Sequence, residues 1–232
     1  MNFDAERAGL VAAYRRLAAE GLLKLSSGNL SVRVGDGILI TPTGAGSDVS
    51  ERELVLMDGA GRVTGEGIPS SEWSMHAEIY AARPDATAVV HTHADACTAL
   101  SCLRRPLPPF HYMVALFGGD DVPCTAYAPF GSPELARLAA SALKDRTACL
   151  LANHGMICFG TSIDSAAKTA LALEMLAQQY ILPSRRRALP PHARRDGRGA
   201  PPLRLLRARA HPERLTFLSA REPRLSPRAD DP

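Results

Sequence analysis

His91 and His93 are the residues whose types and spacing first point to chemistry. They lie two positions apart at the end of an apolar run, residues 87–90, which follows the turn signal Arg83-Pro84-Asp85. Such a run is typical of a buried strand. Side chains two positions apart on a strand share a face, so both imidazoles can point at one site, as zinc ligands do. Alone, the pair is equally typical of ordinary polar residues at a strand end.

Two further residues could complete a metal site. His154 follows a second apolar run, residues 148–152, and Glu72 lies at the start of a predicted helix. Three histidines and one carboxylate form a four-ligand set in which the carboxylate is the easiest ligand to displace. A catalytic zinc ion needs an open or openable position of this kind. The sequence alone does not place the four side chains together in space.

Three small polar loops offer the chemistry that binds an anion. Each has a hydroxyl or amide side chain beside a backbone N–H group, and the loops contain Gly28-Asn29, Thr43-Gly44 and Ser70-Ser71. Ser70 and Ser71 also open a helix, where free N–H groups and the helix dipole favour phosphate. Each loop alone is more typical of an ordinary turn or N-cap than of an anion site. The chain has no Walker loop and no glycine-rich dinucleotide motif, which disfavours a nucleotide ligand.

The elements that must position these residues follow from the apolar periodicity. Amphipathic helices are predicted at about residues 4–20, 71–83, 94–103, 132–144 and 162–181. Short strands are predicted at 32–34, 38–41, 87–90, 122–126, 148–152 and 157–159, with two more around the turn at 58–61. Hairpin-linked strands mixed with helices predict an α/β three-layer sandwich, with a largely antiparallel central sheet flanked by helices.

Composition divides the chain into a globular domain, residues 1–182, and an Arg- and Pro-rich tail, residues 183–232. The tail holds 13 of the arginines, five acidic residues and 9 of the 18 prolines. This composition predicts disorder; contact with nucleic acid or anionic membrane, or a reading-frame change, are the alternatives. Residues 1–182 carry 14 basic and 19 acidic residues, so the basic pI does not indicate a nucleic-acid partner.

Other features bound the location of the protein. No apolar run approaches the ~18 residues of a membrane span, and the N-terminus lacks a signal-peptide pattern. The five cysteines include no Cys-x-x-Cys pair, which predicts reduced core residues of a cytoplasmic protein. His76, one helical turn after Glu72, is expected on a helix surface, with a supporting role beside Glu72 as the alternative.

The chain resembles the class II aldolase/adducin family over about residues 5–182. Seven motifs occur in the family's order and with similar spacing, which is far more specific than any motif alone. They are Ser-Gly-Asn-Leu-Ser-Val-Arg at 27–33, Leu-Ile-Thr-Pro-Thr-Gly at 39–44, Pro-Ser-Ser-Glu-Trp at 69–73, Val-Val-His-Thr-His at 89–93, Phe-His-Tyr-Met at 110–113, Tyr-Ala-Pro-Phe-Gly at 127–131 and Asn-His-Gly at 153–155.

This resemblance implies roles for individual residues. One zinc ion per subunit would be held by His91, His93 and His154, with Glu72 as a displaceable ligand and proton carrier. Tyr112 and Phe130 would shape the aldehyde end of the site. Family members are homotetramers with interface sites, so Tyr112 would come from a neighbouring subunit. The substrate phosphate would lie against Gly28, Asn29, Thr43, Gly44, Ser70 and Ser71.

The implied reaction is reversible cleavage of a ketose 1-phosphate, most simply L-fuculose 1-phosphate, to dihydroxyacetone phosphate and L-lactaldehyde. Zinc would stabilise the enediolate as a Lewis acid, so no Schiff-base lysine is required. The alternatives are a 5-deoxyribulose or 5-methylthioribulose 1-phosphate substrate, an epimerase, dehydratase or decarboxylase of the same family, and a non-catalytic adducin-like scaffold. Glu72 favours a lyase, because the related epimerases typically carry Asp there. The tail departs from the family pattern, which places C-terminal aromatic residues over the substrate; Phe217 is its only aromatic residue.

Overall fold

The computed structural model describes residues 3–184, which form five α-helices and seven strands. The helices are α1 (Asp4–Ala19), α2 (Trp73–Ala82), α3 (Asp95–Cys102), α4 (Pro133–Ala142) and α5 (Ile163–Ser184). The strands are β1 (Asn29–Val34), β2 (Gly37–Ile40), β3 (Val55–Asp58), β4 (Val63–Thr64), β5 (Ala88–Thr92), β6 (Ala148–Leu151) and β7 (Gly155–Gly160). The tail predicted to be disordered was residues 183–232. Its first two residues belong to α5, and residues 185–232 lie outside the described residues. The domain boundary at residue 182 stays a prediction.

The seven strands form one sheet in the order β4-β3-β2-β1-β5-β7-β6, and every neighbouring pair is antiparallel. Its centre is β5, whose five residues are all buried because β1 and β7 pair with its two edges. A strand buried on both faces reads as a continuous apolar run, which is the pattern of residues 87–90. This arrangement brings the ends of β1, β5 and β7 close together.

Two apolar clusters cover the two faces of the sheet. Alternate residues of β5 divide between them: Ala88 and Val90 pack with α1, α3 and α5, whereas Val89 packs with α2 and α4. Period-two alternation is what a strand between two helical layers requires. The result is a helix–sheet–helix sandwich, which confirms the predicted fold class. In the described part of the chain, no helix combines the length and apolar character that a membrane crossing requires.

One predicted strand is wrong. Residues 122–126 form only isolated bridges, from Val122 to Leu107 and from Cys124 to Leu150. Pro123 interrupts the segment, and a proline has no N–H group to donate to a ladder. The cysteine prediction also needs correction, because Cys102 is exposed at the end of α3 while Cys97, Cys149 and Cys158 are buried.

Glu174 of α5 fixes the start of α3, the helix that follows His93. Its two carboxylate oxygens accept the backbone N–H groups of Ala96 and Cys97, each at 3.0 Å. The residue at the N-cap position of α3, Ala94, has no side chain that could do this. Glu174 therefore caps α3 from another helix, in a site where its own side chain is buried.

The Glu174 cap leads to a stability prediction. The Glu174→Gln substitution is expected to lower the free energy of unfolding by about 1–2 kcal/mol, because one of the two buried N–H groups loses its acceptor. Urea denaturation followed by circular dichroism measures this change. The matched control is Glu78→Gln on the exposed side of α2, where the change should stay within about 0.5 kcal/mol. Equal stability of the two variants would contradict the capping role.

Candidate metal centre and its cavity

Three separate parts of the fold bring Glu72, His91, His93 and His154 together. Glu72 immediately precedes α2, and His91 and His93 lie at the end of β5 and just beyond it. His154 occupies the tight turn between β6 and β7. Because β7 pairs with β5, this turn lies beside the end of β5. The sheet register thus joins ligand candidates that are far apart in the sequence.

The donor atoms of these four side chains form a compact cluster. All of them lie within 4.8 Å of one another. Nε2 of His91 is 3.0 Å from Nε2 of His93 and 3.0 Å from Oε2 of Glu72. Nε2 of His154 is 3.3 Å from Oε1 of Glu72. A tetrahedral ion with bonds of about 2.0–2.1 Å has ligand atoms about 3.3 Å apart, so the cluster has the size of a zinc site.

The hydrogen bonds around the cluster fit a cation at its centre. His91 donates its Nδ1–H to the carbonyl of Met156 at 2.8 Å, and its Nε2 faces His93 and Glu72. Oε1 of Glu72 is buried and accepts no hydrogen bond from the described residues. A buried carboxylate oxygen without a donor is costly, and a bound cation would satisfy it. The residues present therefore fit a divalent metal ion.

Burial keeps two of the imidazoles in the form that binds metal. It lowers the pKa of His93 to about 4, and His91 acts in the same direction. The same two causes lower the pKa of His154 to about 4. Burial alone would raise the pKa of Glu72, but His91, His154 and the Asn29 amide hold it well below its usual range. At neutral pH the rings of His93 and His154 are therefore neutral and Glu72 is a carboxylate.

A cavity of about 310 Å³ opens beside the metal cluster. Glu72, His93 and His154 reach its wall, together with Ser71, Tyr127, Ala128, Phe130 and Asn153. Phe130 is 73% exposed, so its ring stands at the cavity mouth, free to meet a ligand. Tyr127, Ala128 and Asn153 are not among the site residues predicted from the sequence, although all three belong to the motifs that carry the family resemblance.

The structure distributes the six proposed phosphate residues unevenly. Ser71 lines the cavity, whereas Ser70 is buried and accepts the backbone N–H of Glu72 at 3.3 Å. Thr43 and Gly44 line a neighbouring hollow of about 370 Å³. Their loop is held beside the Ser70 loop, because Ser70 N–H donates to the Thr41 carbonyl. The two loops are therefore adjacent, with Ser71 the member that faces the metal cluster.

Gly28 and Asn29 lie against the metal ligands. Asn29 pairs with His91 across β1 and β5, and its Nδ2 donates to Oε2 of Glu72 at 3.2 Å. Gly28 has φ +87°, and a Cβ there would lie 2.7 Å from the His91 carbonyl oxygen. Only glycine fits so close to the ligand strand. Tyr112, by contrast, is 70% exposed and is not part of the cavity wall.

His76 differs from its expectation. It was predicted on the helix surface, but it is fully buried between α2 and the sheet and contacts Asn29 and Ser31. Burial is the main cause that lowers its pKa to about 3, so the ring is neutral. The alternative expectation, a partner that supports the Glu72 region, agrees with this position.

The fold and the cluster together define a class of protein, an α/β sandwich that can hold a divalent metal ion beside the start of a helix. Comparison with known proteins names the class: the chain belongs to the family described as "Class II Aldolase and Adducin N-terminal domain", whose model matches residues 8–181. It is a class II aldolase, and thus a lyase. This confirms the family and the enzyme class expected from the motifs.

Individual relatives agree with this assignment. The chain is 51% identical over 175 residues to the 5-methylthioribulose-1-phosphate/5-deoxyribulose-1-phosphate aldolase of Rhodospirillum rubrum, covering 75% of this chain and 79% of the relative. It is 47% identical over 162 residues to the L-fuculose phosphate aldolase of Escherichia coli K12, covering 69% and 75%. A solved L-fuculose 1-phosphate aldolase superposes with a TM-score of 0.77 at 37% identity, over 83% of this chain and 92% of that one.

Proposed function

We propose that this chain is a zinc-dependent aldolase that reversibly cleaves a ketose 1-phosphate to dihydroxyacetone phosphate and a small aldehyde. The observation that carries the proposal is the cavity wall, which Glu72, His93 and His154 share with Ser71 and Phe130. Such a wall offers a metal centre, an anion site and an apolar surface to one elongated substrate. His91 completes the ligand set from behind.

Each part of the wall has a task in this reaction. A bound zinc ion would supply Lewis-acid chemistry at the carbonyl end of the ketose. Ser71, with the loops of Gly28, Asn29, Thr43, Gly44 and Ser70, grips the phosphate and so orients the bond to be cleaved. Glu72, once displaced from the ligand set, is placed to move a proton at the carbon that becomes nucleophilic. Phe130 and Tyr127 enclose the departing aldehyde.

The candidate substrates differ in the aldehyde that they release. L-Fuculose 1-phosphate gives L-lactaldehyde, which carries a hydroxyl group and a methyl group, and the aromatic rings suit the methyl group. 5-Deoxyribulose and 5-methylthioribulose 1-phosphates end in apolar groups and are the second candidates. The 51% identity to the Rhodospirillum rubrum relative, whose name includes both sugars, favours them.

Assembly and location complete the proposal. A homotetramer would place Tyr112 of one subunit in the site of its neighbour, which accords with the 70% exposure of this side chain. An interface would also cover other exposed apolar residues such as Leu116. The proposed partner is a small phosphorylated sugar, with no nucleic acid and no membrane, and the proposed location is the cytoplasm.

Substrate panels test the reaction directly. Purified protein is expected to release dihydroxyacetone phosphate from L-fuculose, 5-deoxyribulose or 5-methylthioribulose 1-phosphate, measured by coupling to glycerol-3-phosphate dehydrogenase. The ranking of kcat/KM among the three identifies the aldehyde end. Chelation with EDTA should abolish release, and added Zn²⁺ should restore it, because an ion held by Glu72 and the three histidines would supply the Lewis-acid chemistry.

A control reaction with ribulose 5-phosphate tests the epimerase alternative. This sugar carries its phosphate at C5, whereas the proposed substrates carry it at C1. No release from any of the three 1-phosphates, or release that persists after metal removal, would contradict the proposed function.

A further inference from the structure

A chain of four buried hydrogen bonds runs from α2 through β1 to the carboxylate of Glu72. It joins Tyr80, Ser31, His76, Asn29 and Glu72, in that order. The Tyr80 hydroxyl is 2.8 Å from Oγ of Ser31, and that Oγ is 2.7 Å from Nδ1 of His76. Nε2 of His76 is 2.6 Å from Oδ1 of Asn29. The four residues that lead to Glu72 are at most 4% exposed, so water does not share these bonds.

The direction of every bond follows from the end at Glu72. An ionised carboxylate only accepts, so Asn29 must turn its NH₂ group towards Glu72 and its carbonyl oxygen towards His76. His76 must then donate from Nε2, which leaves Nδ1 of a neutral ring as an acceptor. Only the Ser31 hydroxyl can donate to that nitrogen, and Ser31 in turn accepts from Tyr80. All four donors therefore point the same way.

The common direction of these hydrogen bonds determines which group of the Asn29 amide, the NH₂ or the carbonyl oxygen, points towards the metal cluster. An amide can rotate by half a turn at little steric cost, and the opposite orientation would set its carbonyl oxygen against the Glu72 carboxylate. The Nε2–H group of His76 removes that choice, because it needs the carbonyl oxygen as its acceptor. Successive hydrogen bonds of one direction also polarise one another.

We propose that His76 is a positioning residue of the metal centre: held by Ser31 and Tyr80, it locks the Asn29 amide so that Glu72 is presented to the metal in one orientation. This inference rests on the metal centre proposed above. The Asn29 bond holds Oε2 of Glu72 beside His91, which leaves Oε1 directed towards His154. Groups that orient ligands from behind typically change metal affinity or activity by about 10–100-fold.

Zinc affinity tests the role of His76 without any need for turnover. Competition with a chromogenic chelator gives the zinc Kd of the wild type, His76→Gln and His76→Leu. Glutamine keeps an N–H donor for Asn29, whereas leucine keeps none. We expect about 10-fold weaker binding in His76→Leu and an unchanged Kd in His76→Gln.

A second substitution keeps the test decisive if His76→Leu does not fold. Tyr80→Phe removes only the hydroxyl that starts the chain, and it should weaken zinc binding in the same direction, by about threefold. Thermal unfolding of the metal-free proteins measures the stability of each variant separately from its zinc affinity. A purely structural role would lower the unfolding temperature and leave the zinc Kd unchanged.

The outcomes separate this inference from the proposed function. A wild type that binds no zinc would overturn the metal centre itself. A wild type that binds zinc, with equal affinity in folded His76→Leu or in Tyr80→Phe, would overturn the role of His76 and leave the aldolase proposal standing.

Discussion

Replacement of His93 by alanine is expected to remove most of the bound metal and to lower kcat/KM by at least about 100-fold. His93 supplies a nitrogen 3.0 Å from Nε2 of His91, and its ring also lines the cavity. Groups that only support metal ligands already contribute about 10–100-fold, so the loss of a ligand should exceed that range. Elemental analysis of the purified protein and the dihydroxyacetone phosphate assay measure the two effects.

The matched control for this experiment is His192→Ala, which removes a histidine that belongs to none of the proposed sites. Its metal content and turnover should equal those of the wild type. Full metal occupancy in a protein that lacks His91, His93 and His154 together would contradict the assignment of the cluster as the metal centre.

The Glu72→Gln substitution is expected to slow turnover by at least about 100-fold while the fold is kept. Glutamine has nearly the same shape, but it cannot accept a proton at the cavity wall. General acid–base groups typically contribute about 10²–10⁴-fold. The direct measurement is hydrogen exchange at C3 of dihydroxyacetone phosphate in D₂O, followed by NMR, because this step needs no aldehyde. Exchange should slow in parallel with turnover.

Glu78→Gln serves as the charge control, since this carboxylate is exposed on α2, the helix that Glu72 immediately precedes. Metal content must be measured for both variants, because Glu72 is also a proposed ligand. Unchanged exchange in a metal-loaded Glu72→Gln protein would remove the proton-carrier role and leave Glu72 as a ligand alone.

The metal cluster could be predicted from the sequence because two of its four ligand candidates are close together in the chain. His91 and His93 are two residues apart at a strand end, and period-two geometry alone puts them on one side. The approach of His154 and Glu72 is not local, since it depends on the pairing of β5 with β7 and on the packing of α2 against the sheet. Only the order and spacing of the family motifs indicated it.

Other features required tertiary contacts that no local pattern encodes. Tyr127 and Asn153 reach the cavity wall through irregular segments, whose path depends on packing and not on a repeating period. His76 had a usable signal, because it lies four residues before Tyr80, next to Met75 and Ile79 on the buried face of α2. A polar residue on an apolar face indicates either a surface edge or a buried hydrogen-bond partner, and the sequence does not decide between them.

The antiparallel sheet determines when a metal site can form during folding. The ligand candidates extend from residue 72 to residue 154, and three separate segments must meet before four donor atoms share one site. In an unfolded chain, entropy opposes bringing these distant segments together, so no preformed metal site exists. Binding therefore favours the finished sheet by mass action. Contacts that form after the folding barrier act on the unfolding rate. A bound metal ion would therefore slow unfolding and leave the folding rate nearly unchanged.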